Sequence, residues 1–530
     1  MALTSALENT NARMAVTFGG KNKTKTMDSE HSEDFYEPLT EHQGERSRIS
    51  KKYVVYTIFA SLNQLLLGYN VGVMSGAIIF IQEDLKITDV QQEILVGIFG
   101  FVSLLGSVVG GKTSDLIGRK WTLALAALLL QLGSTIMAVA TSFQILILGR
   151  LLSGVGMGLA VMIAPMYIAE ISPADARGLL TSFPEVFVNV GILLGYVSNY
   201  AFSGLSVHIN WKIMLGLGIL PSLFIWFALF IIPESPRWLV MQNSVEEARS
   251  VLLKTGENEA DVEERLMEIQ EAAGISDDVD KYAERSVLRE LLIPSTSVRR
   301  MLVVGLGIQA FQQVTGIDAV MYYSPEIFKD AGIESNSKLL AVTVAVGVSK
   351  AAFVWVSTFL TDKLGRKPLL YVCTIGMTLS LSTMGFTLAL LGKGQVVIAL
   401  AILCVCGYVA FFSLGLGPLC SVVTSEVFPL RLRAQASALA AVVNRLCSAF
   451  VAMSFLSLAQ KVTVSGAFFI YAALSVLSVL FVHTLVPETK GKSLEQVELL
   501  FQDQTDCRGS KMEKGDSSEH LVRKAIVIGA

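Results

Sequence analysis

The sequence predicts an all-α polytopic membrane protein, with about twelve spanning helices arranged as two six-helix halves. Three observations carry this reading. Apolar stretches long enough to cross a bilayer recur along the chain, lysine and arginine gather in the connections on one side, and three charged motifs return about 250 residues after their first appearance.

The residues AVILMFWYC make up 52% of 530 positions and charged residues 16%, with a mean hydropathy of +0.56. A soluble domain carries about 25% charged residues. A hydrocarbon core of about 30 Å takes about 20 apolar residues per helix. The expected spans are 53–80, 95–114, 121–140, 144–168, 183–204, 213–232, 300–331, 338–361, 368–392, 396–425, 434–459 and 465–486. Strand-length alternation is absent, which argues against a barrel. The expected organisation is a polar N-terminal tail over 1–50, read as disordered and lacking a secretory pattern, then a half over 51–232. A linker with short helices follows over 233–299, then a second half over 300–490 and a tail over 491–530.

Several function classes drop out. A net charge of −3 and the lack of a basic tract give nucleic acid no footing. The six cysteines form no C-x-x-C pair and read as small apolar fillers. No histidine falls at mid-span, and no metal-ligand or Ser-His-Asp pattern is visible, so no enzyme, metal or cofactor is expected.

Basic residues orient the chain. Lys112, Arg119 and Lys120 follow the second span, Lys363, Arg366 and Lys367 the eighth, and Arg431 and Arg433 the tenth. On the other side the first connection has only Lys86 among Glu83, Asp84, Asp89 and Glu93, and the connection between the third and fourth spans has no basic residue, so both tails and the linker are expected in the cytoplasm. Asp115-Leu-Ile-Gly-Arg-Lys120 returns as Asp362-Lys-Leu-Gly-Arg-Lys367, Glu170-Ile-Ser-Pro-Ala-Asp-Ala-Arg177 as Glu426-Val-Phe-Pro-Leu-Arg-Leu-Arg433, and the Pro-Glu pair holding Glu234 as the one holding Glu488. Such halves rock about a site at the bilayer midplane. The acids and bases Asp115, Arg119, Glu170, Arg177, Glu234, Asp362, Arg366, Glu426, Arg433 and Glu488 are expected to form an ion-pair network that locks the cytoplasmic side in one state.

These motifs, with Pro233-Glu-Ser-Pro-Arg-Trp238, Gln312-Gln-Val-Thr-Gly-Ile-Asp318 and Pro487-Glu-Thr-Lys-Gly491, resemble the sugar porter family of the major facilitator superfamily over about 53–498. Phe183-Pro-Glu-Val-Phe187, Gly316-Ile-Asp-Ala-Val320, Lys350 and Asn444-Arg445 are similar to its plant polyol/monosaccharide clade. The resemblance implies the major facilitator fold and uptake of linear polyols, inositol and hexoses, usually with a proton. It implies a plasma-membrane location, with tonoplast and plastid envelope as alternatives. A sugar sensor that binds without translocating is the competing function.

Polar groups at membrane depth are expensive, so each one needs a reason. Gln309, Gln312 and Gln313 share one helix face at i, i+3 and i+4, and their amides suit paired hydroxyls. By the resemblance Gln312 and Gln313 bind sugar, Tyr322 and Tyr323 gate it, and Asn444 is a further contact. Asp318, Glu185 and Lys350 are candidate substrate groups, and the last two are a candidate charge pair between the halves. Arg445 is expected to face elsewhere. The family pairs Arg150 with a helix 1 aspartate that exchanges the coupling proton, but this chain has Asn70 there. An amide does not titrate in the physiological range. That predicts a uniporter, or weak coupling through Glu185 or Asp318. Ser421 stands where many family members have tryptophan, removing an apolar platform for the sugar ring.

Overall fold

The structure is a computed structural model and describes residues 51–173, 176, 180–255, 259–272, 291, 293–392, 394–490, 497 and 501. Arg177, the N-terminal tail and the C-terminal tail apart from Val497 and Phe501 lie outside the described residues, as do the side chains of Asp362 and Arg431.

Among the described residues the regular structure is helical. The first half holds α1 (Lys51–Leu85), α2 (Asp89–Ile117), α3 (Arg119–Ala138), α4 (Phe143–Ile171) and α5 (Phe183–Phe202), then α6 (Val207–Gly216) and α7 (Ile219–Ala228), which share one crossing. Three short helices follow: α8 (Pro236–Met241), α9 (Val245–Thr255) and α10 (Glu259–Ala272). The second half holds α11 (Thr296–Val314), α12 (Ile317–Asp330), α13 (Asn336–Leu364), α14 (Arg366–Leu390), α15 (Gln395–Leu414), α16 (Leu416–Val427) and α17 (Leu430–Thr484).

Among the described residues ten segments are long and apolar enough to cross a membrane. The 55-residue α17 breaks at Thr463, where φ is 68°, and turns back, adding a second pass. The α11–α12 pair adds one more, giving twelve. Gly316 interrupts that pair at φ 97°, a left-handed conformation open to glycine without strain.

The repeated motif glycines have a shared local cause. Gly118 and Gly365 both sit at φ 92°, at the sharp turns α2–α3 and α13–α14. A Cβ on Gly118 would come within 2.5 Å of a Glu234 carboxylate oxygen, and one on Gly365 within 3.2 Å of the corresponding oxygen of Glu488. Neither α3 nor α14 has an N-cap side chain of its own. Instead Glu234 accepts from the backbone N–H of Arg119 at 2.8 Å and of Lys120 at 3.0 Å. Glu488 accepts from those of Arg366 at 3.1 Å and Lys367 at 3.0 Å. A carboxylate from far along the chain thus satisfies the orphan donors and faces the positive helix end.

Close helix approach depends on glycine at the crossing of α2 and α4, where a Cβ on Gly158 would lie 2.1 Å from the Ser103 carbonyl oxygen. The short helices form a separate apolar cluster around Val251, Leu252 and Leu266. They attach to the first half through Tyr53, whose hydroxyl donates to Thr255 at 2.8 Å. Arg265 donates to the terminal carbonyls of Ile171 at 3.1 Å and Ser172 at 3.0 Å, a cation at the negative end of α4.

Candidate functional site

The halves meet on the side away from the charged motifs. Glu93 of α2 is buried and accepts from the backbone N–H of Ser457 at 2.7 Å and from its hydroxyl at 2.5 Å. Gln460 donates to Asp89 at 2.5 Å. Tyr196 of α5 donates across the halves to the Met321 carbonyl at 2.8 Å. Tyr323, fully buried, donates to the Ala452 carbonyl at 2.9 Å and stacks on Phe455 at 5.2 Å between ring centroids.

Beneath this closure lies a cavity of about 260 Å³, bordered by both halves. Gln312, Gln313, Asp318, Lys350 and Asn444 line it, with Glu185 from the first half. A second space of about 320 Å³ shares Glu185, Val354 and Pro418 with it and runs toward the motif side past Ser182, Ser421 and Ser425. Ser421 is exposed there, so no ring closes that wall.

Asn444 organises the glutamines. Its amide donates to Gln309 Oε1 at 2.9 Å and Gln312 Oε1 at 2.5 Å, and its Oδ1 accepts from Gln313 at 3.2 Å. Gln312 also donates to the Leu416 and Gly417 carbonyls at 3.1 and 2.8 Å, at the break between α15 and α16. Gln309 stands behind this layer, donating to Thr424 at 3.2 Å, and does not border the cavity. Of the two tyrosines, Tyr322 borders the cavity and Tyr323 does not.

Asp318 accepts from the Ser448 hydroxyl, and the cations whose charge reaches it are Lys350 and Arg445. Arg445 lines the cavity, contrary to the expectation that it faces elsewhere. The cavity is wide enough for adjacent positions on α17 to border it together. Glu185 and Lys350 are electrostatic neighbours, but no ion pair within 4 Å joins them; Asn189 donates to Glu185 Oε1 at 3.3 Å.

Asn70 donates to the Leu66 carbonyl one turn back at 3.0 Å and makes no bond to Arg150. Arg150 is fully buried. Its Nε donates to the Leu95 carbonyl at 3.2 Å, its guanidinium lies 4.8 Å above the Phe99 ring, and both terminal nitrogens lack a hydrogen-bond partner.

On the motif side Arg119 pairs with Glu170 at 3.0 Å and Asp115 at 3.1 Å, and Ser235 donates to Glu170 at 2.5 Å. Arg366 pairs with Glu426 at 2.9 Å, and Thr489 donates to Glu426 at 2.5 Å. Arg433 serves the Phe428 carbonyl at 3.2 Å. Each of these described contacts stays inside one half. Burial pushes the Glu234 carboxyl above the usual carboxylate range despite its backbone donors. Burial also works upward on Glu488, but the backbone N–H groups of Lys490, Arg366 and Lys367 outweigh it and hold that carboxyl below the ordinary value.

The Glu93–Ser457 and Asp89–Gln460 contacts and the Ser448–Asp318 bond had no counterpart in the sequence reading.

A fold of two six-helix halves around a polar central cavity open to one side defines a membrane transporter rather than an enzyme. Residues 56–501 match the family described as Sugar (and other) transporter. The chain is 61% identical over 511 residues to probable polyol transporter 4 of Arabidopsis thaliana, covering 96% of each chain. It is 32% identical to the glucose transporter GlcP of Staphylococcus epidermidis, covering 87% of this chain and 99% of that one. In structure it is similar to the inward-open conformation of the xylose transporter XylE from E. coli, with a TM-score of 0.71 and 28% identity over 84% of this chain and 99% of that one. The same transporter bound to 6-bromo-6-deoxy-D-glucose gives a TM-score of 0.70 and 29% identity, over 86% and 100%. The chain belongs to the sugar transporter family and is a multi-pass membrane carrier.

Proposed function

We propose that the carrier moves a polyol or monosaccharide by alternating access, with the cargo held in the central cavity. One observation carries this: Asn444, Gln312 and Gln313 form a hydrogen-bonded polar layer bordering a cavity between the halves. Amides and carboxylates there offer the mixed donors and acceptors that a run of hydroxyls needs. The relatives named above, a probable polyol transporter and two sugar transporters, support that cargo class.

The proposed substrate groups are Gln312, Gln313, Asp318, Glu185, Lys350 and Asn444, with Gln309 bracing the layer and Tyr322 and Tyr323 at its closed end. The base-rich side faces the cytoplasm, with both termini and the short helices, and the membrane is the plasma membrane. In that orientation the described state is inward-open. The units that rock are 51–232 and 300–490, bridged by 233–299. The Asp115, Arg119, Glu170 and Glu234 cluster and its repeat stiffen each half's cytoplasmic end.

Uptake of radiolabelled sorbitol, mannitol, myo-inositol, xylose and glucose by a transport-deficient cell tests the reading. Saturable uptake of at least one of them, competed by the others, is expected. Binding without flux in reconstituted vesicles would make the protein a sensor instead.

A further inference from the structure

We propose that Tyr196 is a positioning residue of this carrier: from the first half it supplies the hydrogen-bond donor that Pro325 removes from α12, and so weights the balance toward the state that is closed on the outer side. The proposal rests on the alternating-access reading above.

The starting point is a local defect in α12. In a helix each carbonyl accepts from the backbone N–H four residues further on. For Met321 that residue is Pro325, which lies inside α12 and has no N–H. The chain departs from helical geometry close by, at Tyr323, where φ is −107° and ψ 16°. Met321 is buried, and a buried carbonyl without a donor is costly. The donor comes from the opposite half: the Tyr196 hydroxyl, on α5, donates to the Met321 carbonyl at 2.8 Å.

Packing places Tyr196 for this. Its side chain is fully buried. A Cβ on Gly347 of α13 would come within 2.7 Å of its ring, so the ring lies against the α13 backbone. One side chain of the first half thus meets two helices of the second. Tyr196 does not border the cavity, whereas Met321 does, with Asp318 and Tyr322 beside it on α12. Holding the Met321 carbonyl therefore fixes the stretch of α12 that faces the cavity.

The bond belongs to one state. In the described state Tyr196 ties α12 to α5, and Tyr323 ties it to the Ala452 carbonyl of α17 at 2.9 Å. Parting the halves on the outer side separates Tyr196 from Met321 and admits water, which can donate to the freed carbonyl instead. A group that interacts in one state and not in the other shifts the balance between them. Deleting the hydroxyl leaves the carbonyl buried without its donor only while the outer side is closed, and that penalty corresponds to a population shift of about fivefold or more.

The test is a double-mutant cycle on the full-length protein in proteoliposomes, read without cargo by spin-label distances between the outer ends of α2 and α17. Tyr196→Phe keeps the ring against Gly347 and deletes the hydroxyl. Pro325→Ala restores a backbone N–H one turn after Met321. Tyr196→Phe should raise the ratio of outward-open to outward-closed protein by about fivefold or more. In the Pro325→Ala background the same change should move that ratio by less than about twofold, because α12 then supplies its own donor. A ring that only fills space would give the same shift in both backgrounds. Should Tyr196→Phe fail to fold, the double variant should fold, and failure of both overturns the proposal. No shift in Tyr196→Phe, or an equal shift in both backgrounds, overturns it too, and because no cargo takes part, either result leaves the cargo reading standing.

Discussion

Truncating Asn444 to alanine removes the centre of the polar layer. The side chain donates to Gln309 Oε1 and Gln312 Oε1 at 2.9 and 2.5 Å and accepts from Gln313 at 3.2 Å. Each net hydrogen bond contributes about 0.5–1.5 kcal/mol, so three give about 1.5–4.5 kcal/mol. Two features hold the loss below the top of that range. Gln312 keeps its bonds to the Leu416 and Gly417 carbonyls, and the cavity is open enough for water to replace part of what is lost. The glutamines, freed from Asn444, would then no longer present a fixed pattern to cargo. A loss of about 2–3 kcal/mol corresponds to about a 30- to 150-fold weaker apparent affinity. The assay is the concentration dependence of cargo counterflow in proteoliposomes, with fluorescence-detected size exclusion confirming that the variant folds. An affinity within about twofold of wild type in a folded variant would refute the assignment of this layer to cargo binding.

Three further outcomes are expected. Glu93→Ala removes a buried carboxylate with two bonds to Ser457. Charged hydrogen bonds contribute about 1.5–3 kcal/mol each, so the outward-open population should rise at least tenfold, read by spin-label distances between α2 and α17. Gly158→Val has no room beside the Ser103 carbonyl and should prevent recovery of folded protein, whereas Gly204→Ala, with nothing within 4 Å of its Cβ, should leave the unfolding temperature unchanged. The third concerns pH. Glu488 is held below its ordinary value of 4.5, so its contribution is present above that value and is lost as pH falls through the lowered one. Glu234 is raised, so its contribution is fullest below 4.5 and declines as pH rises through the raised value. The difference in unfolding temperature between wild type and Glu488→Gln should therefore shrink on acidification, and that for Glu234→Gln should move the opposite way.

How much of this was legible in the chain differs between residues. The spans, the repeat and the polar face of Gln309, Gln312 and Gln313 could be read directly, because the bilayer punishes every polar group and every break in a helix. The repeated glycines and glutamates could be seen too, but not the cause of their pairing. That Glu234 and Glu488 cap helices starting more than a hundred residues earlier depends on which ends the fold brings together.

The sequence alone determined that this is a twelve-span, two-half membrane protein, because hydropathy, charge bias and repetition are local or periodic properties. Only the tertiary structure decided that Arg445 borders the cavity while Gln309 does not, that Glu185 and Lys350 border it without an ion pair, and that Arg150 is buried against the Leu95 carbonyl and the Phe99 ring. These are distances between helices remote in sequence, fixed by close packing and by the kinks at Gly316 and Tyr323. No spacing along the chain encodes them.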